Sequence, residues 1–60
     1  MIKLQKSGST VRVMRGRDDI RVTITRADGS RAGRLFPSPD PSLVIARVVS
    51  GLVEDGWQIV

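Results

Sequence analysis

Few of the 60 residues have side chains that could do chemistry on their own. There is no Cys and no His, which excludes disulfides, the usual zinc sites and catalysis by either residue. Asp18-Asp19 could be read as paired carboxylates for acid–base work or for Mg²⁺. The pair sits in Gly16-Arg17-Asp18-Asp19, however, where Asp is an ordinary turn residue and Arg17 lies alongside. Ser7, Ser9 and Thr10 have no base to activate them, because His is absent and Lys3 and Lys6 read as exposed. Gly8, Gly16, Gly29 and Gly33 do not make the spacing of a phosphate-cradling loop. The chain therefore reads as non-enzymatic, with no cofactor and no metal.

What remains is positive charge, unevenly placed. Residues 1–36 carry nine basic side chains (Lys3, Lys6, Arg12, Arg15, Arg17, Arg21, Arg26, Arg31 and Arg34) against Asp18, Asp19 and Asp28, a net of +6. Residues 37–60 carry Arg47 against Asp40, Glu54 and Asp55, a net of −2. Eight of the ten cations are Arg, whose planar fork suits phosphate and carboxylate and stacks on flat rings. Coding bias that replaces Lys by Arg would give the same count.

The elements that must position these cations are short strands. Val11 and Val13 alternate with Thr10, Arg12 and Met14, and Ile20, Val22 and Ile24 alternate with Arg21, Thr23 and Thr25. Such a period of two marks half-buried antiparallel strands. A first strand is expected over Ile2–Ser7, turning at Gly8-Ser9, and a fourth over Arg31–Phe36 after a two-residue Asp28-Gly29 turn. A four-residue loop at Gly16–Asp19 joins the middle pair. These turns set Leu4 opposite Val13, Val13 opposite Val22 and Val22 opposite Leu35, which gathers the apolar rows on one face. The opposite face would then carry Lys3, Arg12, Arg21, Arg34 and Phe36, so the basic wall requires Arg12 and Arg34 to share a side. Arg26 and Arg31 would flank the Asp28-Gly29 tip as like charges, which favours an anion or partner there.

Pro37-Ser38-Pro39-Asp40-Pro41 ends the sheet and starts a helix, with Asp40 as N-cap and Pro41 as first helical residue. The helix is expected from about Pro41 to Glu54, stopping near Gly56. Arg47, Ser50, Gly51 and Glu54 form one narrow polar stripe, and the rest is apolar, so one sheet face would not cover it. Either a fifth strand closes over it or two copies pair as a homodimer. The β-branched run Val44–Val49 keeps a strand as the rival reading. Trp57–Val60 reads as a final strand beside the first, or else beside the fourth by a right-handed crossover. Trp57 is expected to pack on the helix end with its N–H bonded; stacking on a ligand is the other use of an indole. The fold class is α+β, ββββαβ, in one domain over 1–60.

A four-stranded sheet backed by a helix, with Lys3, Arg12, Arg21 and Arg34 outward, broadly resembles the dimeric single-strand-binding domains of transcriptional coactivators. The likeness lies in architecture, and no motif carries residues across. The reading favoured here is a nucleic-acid-binding module in which Lys3, Arg12, Arg21, Arg34, Arg26 and Arg31 contact phosphates and Phe36 stacks a base. A hydrophobic plug at the sheet edge is the plainer use of Phe36. The alternative is a protein-interaction module or inhibitor, of the phage or mobile-element kind, docking on an acidic partner surface with Met14 as an adaptable contact. Neither a membrane span nor an apolar leader is visible in the sequence, and the expected location is the cytoplasm.

Overall fold

The computed structural model describes residues 1–60. Its elements are β1 (Ile2–Lys6), β2 (Ser9–Arg15), β3 (Asp19–Thr25), β4 (Arg31–Pro37), α1 (Pro41–Glu54) and β5 (Gln58–Ile59). They form one five-stranded antiparallel sheet, ordered β4-β3-β2-β1-β5. This is the ββββαβ plan, with the last strand beside the first: Leu4 pairs with Ile59 and Gln5 with Gln58.

Three turns set the register, and they differ in how they meet expectation. The Gly16–Asp19 loop is closed by Gly16 N–H donating to the Asp19 carbonyl at 2.9 Å. Val13 faces Val22 and Val11 faces Ile24, as the sequence indicates. Between β1 and β2 the turn residues are Ser7 (φ 50°) and Gly8 (φ 82°), not Gly8-Ser9. Two successive positive φ values make the type I′ geometry, whose twist matches that of the strands. The slip is two residues: Ile2 meets Val13 and Leu4 meets Val11. An even slip keeps each side chain on its face.

The third turn changes the outcome. Arg26 N–H donates to the Ser30 carbonyl at 2.8 Å and Gly29 N–H to the Arg26 carbonyl at 2.9 Å. The loop is therefore Ala27-Asp28-Gly29, three residues long, with Gly29 in the left-handed region at φ 89°, where Gly is free of Cβ strain. The Asp28 carboxylate accepts from Ser30 N–H at 2.8 Å, which holds the extra residue in place. One added residue shifts the ladder by one: Val22 faces Arg34, Thr23 faces Gly33 and Arg21 faces Leu35. A slip of one turns a strand over, so Leu35 leaves the expected core row and is 52% exposed.

The helix keeps its expected bounds. The Asp40 side chain accepts from Leu43 N–H at 3.3 Å, and Pro41 begins the first turn. At the other end Gly56 has φ 99°. There Gly56 N–H donates to Val53 and Trp57 N–H to Leu52, the paired bonds of a Schellman stop. Val44, Ile45, Val48, Val49 and Leu52 pack on a core of Leu4, Val11, Val13 and Ile20. The spacing of these five places them on one helix face, and α1 rests mainly on β2 and β3. Trp57 packs against the same core, but its indole N–H has no hydrogen-bond partner in the chain and is not buried.

No strand closes over α1, because β5 is taken up at the β1 edge. Every residue of β4 is exposed. The accessible surface, 4300 Å², exceeds the roughly 3,900 Å² usual for a monomer of this mass, as a half-covered sheet requires. No helix is long and apolar enough to cross a membrane.

Candidate nucleic-acid interface

The face of the sheet turned away from α1 is bare. By the observed register its cross-strand rows are Lys3–Arg12–Thr23–Gly33, Met14–Arg21–Leu35 and Gln5–Thr10–Thr25–Arg31. Neighbouring strands lie about 4.8 Å apart, so Lys3 and Arg12 are adjacent like charges, and Arg21 lies one row along. Asp19 shares the parity of this face but stands at the rim, opposite Pro37. The one ion pair of the chain is Lys6 with Asp55, 3.3 Å from Nζ to Oδ2, where Lys6 also donates to the Asp55 carbonyl. Lys3, Arg12, Arg21 and Arg31 therefore meet no carboxylate.

Membership of this face is corrected in two places. Arg34 and Phe36 were expected beside Lys3, Arg12 and Arg21; the three-residue turn carries both to the helix side. There the Arg34 guanidinium lies 6.0 Å from the Phe36 ring centroid, within cation–π range. A wall shared by Arg12 and Arg34 does not exist. Arg31, which a two-residue turn would put on the helix side with Leu35, sits instead on the bare face opposite Thr25. Arg26 caps the loop opposite Ser30, with its Nη1 3.4 Å from the Ser30 hydroxyl, so Arg26 and Arg31 are not cross-strand neighbours.

Four cations thus remain on the face, but its aromatic is gone. Met14 and Leu35 are the apolar side chains left there, so base stacking on Phe36 from this side is not available. The hydroxyls of Thr10, Thr23 and Thr25 and the amides of Gln5 and Gln58 complete the surface as uncharged hydrogen-bonding groups. These polar residues were readable from strand parity alone, whereas the transfer of Arg31 needed the length of the third turn.

On the helix side, Ile20, Val22, Phe36, Pro37, Val44 and Val48 line an open apolar trough between α1 and β4. The Asp28 carboxyl in the turn is held below its ordinary range, chiefly by hydrogen bonding from the Ser30 side chain and amide and less by the Arg26 charge. Comparison with protein-family models, curated proteins and solved structures finds no match to this chain.

Proposed function

We propose that the chain is a non-enzymatic module that binds the phosphate backbone of nucleic acid on the bare sheet face, through Lys3, Arg12, Arg21 and Arg31. The observation that carries this reading is a set of four unpaired cations on a face that no element covers. Like charges opposed across a ladder are unfavourable, and a polyanion relieves that repulsion while releasing its own counterions. With no aromatic on this face, affinity would come from phosphates and be independent of sequence. Arg26, paired with Ser30 at the end of the ladder, has the parity of Val22 and Ile24 and lies outside this track.

Homodimer formation belongs to the same proposal. It rests on the trough, where Phe36, Val44 and Val48 leave apolar surface for a second copy. Sedimentation at high concentration tests it: a species of twice the 6.6 kDa chain mass supports association, and a lone 6.6 kDa species removes it.

Binding is tested by titrating labelled single- and double-stranded oligonucleotides at about 50 mM salt, where phosphate contacts are strong. Arg12→Glu with Arg21→Glu is expected to abolish the shift without changing the melting temperature by more than a degree or two. Arg34→Glu, on the other side of the sheet, is expected to leave it unchanged. No shift with the wild-type chain would pass the lead to the protein-docking alternative.

A further inference from the structure

The longest exposed backbone in this fold is the free edge of β4. Antiparallel ladders alternate pairs that exchange hydrogen bonds with pairs that do not. Two observed bonds fix the phase beside β4: Arg26 N–H to Ser30 and Ser38 N–H to Asp18. Both join residues in the β3–β4 register, so Ala32, Arg34 and Phe36 bond inward to Ile24, Val22 and Ile20. The N–H and C=O groups of Arg31, Gly33 and Leu35 consequently point away from the sheet. Pro37 falls on the same outward phase, where its missing N–H costs the sheet nothing.

The two edges of the sheet are unequal. β5 is two residues long, whereas β4 is seven, and a long open edge is a template for another strand. What surrounds those free groups selects the strand. Arg31 projects to one face and Arg34 to the other, neither in an ion pair. Leu35 and Phe36 offer an apolar contact on each face, 52% and 42% exposed. A second copy fits this edge poorly. A two-fold pairing centred on Arg34 would set two guanidinium groups face to face, and one centred on Gly33 would leave them as diagonal neighbours. The latter spacing is still close enough for like charges to repel.

We infer that the β4 edge takes up an extended acidic segment of another protein as a sixth strand. Its backbone would pair with Arg31, Gly33 and Leu35. Its carboxylates would lie beside Arg31 and Arg34, and apolar side chains beside Leu35 and Phe36. In this mode main-chain bonds supply affinity and alternate side chains supply selectivity. The site is separate from the oligonucleotide face except at Arg31, and its occupancy does not depend on nucleic acid.

The probe is a fluorescein-labelled peptide of about eight residues, a common strand length, with leucine and phenylalanine adjacent at one end and glutamates through the rest, so that each face of the added strand carries both an apolar and an acidic side chain. Its counterpart has lysine for glutamate. The acidic peptide is expected to bind the full chain and the lysine peptide not. Gly33→Pro removes an outward donor without breaking an intrachain bond, and a Cβ at Gly33 meets nothing nearer than 3.7 Å. It should weaken binding about tenfold, in line with losing one or two hydrogen bonds, while the far-UV circular dichroism is kept. Arg34→Glu should weaken the peptide and spare the oligonucleotide. Arg12→Glu with Arg21→Glu should do the reverse, so failure of one reading leaves the other standing.

A second measurement does not rely on any variant. Amide exchange at Arg31, Gly33 and Leu35 is expected to be fast in the free chain and to slow on adding the acidic peptide. Ala32, Arg34 and Phe36 should be protected throughout. The inference is overturned by absence of peptide binding, or by binding that leaves those three amides unprotected. It is also overturned if they are already protected in a two-chain species, which would make the edge a self-pairing one.

Discussion

The β2–β3 and β3–β4 ladders share a strand, run the same way and are nearly equal in length, yet they behave differently. In the first, Val11 and Val13 oppose Ile24 and Val22, and every Val and Ile side chain lands under α1 or next to it. In the second, Val22 opposes Arg34 while Leu35 points to water. The difference is the number of residues in a turn. Four residues at Gly16–Asp19 keep the expected phase, and three at Ala27–Gly29 reverse it. Faces of a sheet are thus assigned by turn length as much as by the alternation within strands. In β4 the rule that one face must be apolar is weak, because α1 does not reach it and nothing penalises Arg34 there.

That contrast predicts where the chain is fragile. Leu4→Ala removes a fully buried side chain under α1 and should cost about 2–5 kcal/mol. A domain this small has only a few kcal/mol in all, so urea titration should find the variant largely unfolded. Phe36→Ala, in the uncovered strand, should cost about 1 kcal/mol or less. Equal losses at the two positions would show that β4 is covered in solution.

Smaller effects sharpen the same comparison at the element ends. Gly56→Ala places a Cβ at φ 99° and should lower stability by about 1 kcal/mol. Asp40→Ala should cost a similar amount, about 1 kcal/mol, by removing the cap on Leu43 N–H. Leu35→Thr, on the bare side of β4, should stay within about 0.5 kcal/mol. Chemical denaturation of the three variants checks the order.

The smallest effect belongs to the turn that sets the β4 phase. The Asp28 carboxyl is lowered from the ordinary 3.8. A group whose folded pKa is depressed gives stability that is present above its unfolded pKa and lost as pH falls through the folded one. The wild type should therefore lose a slight increment below about pH 4 that Asp28→Asn does not lose. A carboxyl NMR titration should show Asp28 releasing its proton at lower pH than a free Asp.

Much of this architecture was legible in the residues. Asp40-Pro41 and Gly56 bracket the helix because capping is local chemistry, settled within a turn of the chain. The Gly16–Asp19 loop was readable because Arg15 and Ile20 must pair for Val13 to meet Val22. The sheet order followed from strand directions, which alternate through the meander. The third turn was not readable by the same means. Asp-Gly suits a two-residue turn, and it equally suits the end of a three-residue one with Gly in the left-handed position. The deciding contact, Asp28 with Ser30 N–H, was not evident from the Asp-Gly pair. Of the expected site residues, Lys3, Arg12 and Arg21 share a face because they precede that turn, and Arg34 and Phe36 leave it because they follow. The apolar girth of α1 suggested full enclosure. Its polar stripe faces solvent, and the helix is not enclosed: Leu43 and Val53 stay exposed on it, in addition to the apolar trough beside it.

The register of β4 is the claim from which the membership of both faces follows, and one spectrum tests it. A two-dimensional NOE experiment on the free chain should show close Hα–Hα contacts between Arg21 and Leu35 and between Thr23 and Gly33, the pairs that do not exchange hydrogen bonds. Contacts joining Val22 to Leu35 or Thr23 to Arg34 would contradict the account, returning Arg34 to the bare face and moving Arg31 to the helix side.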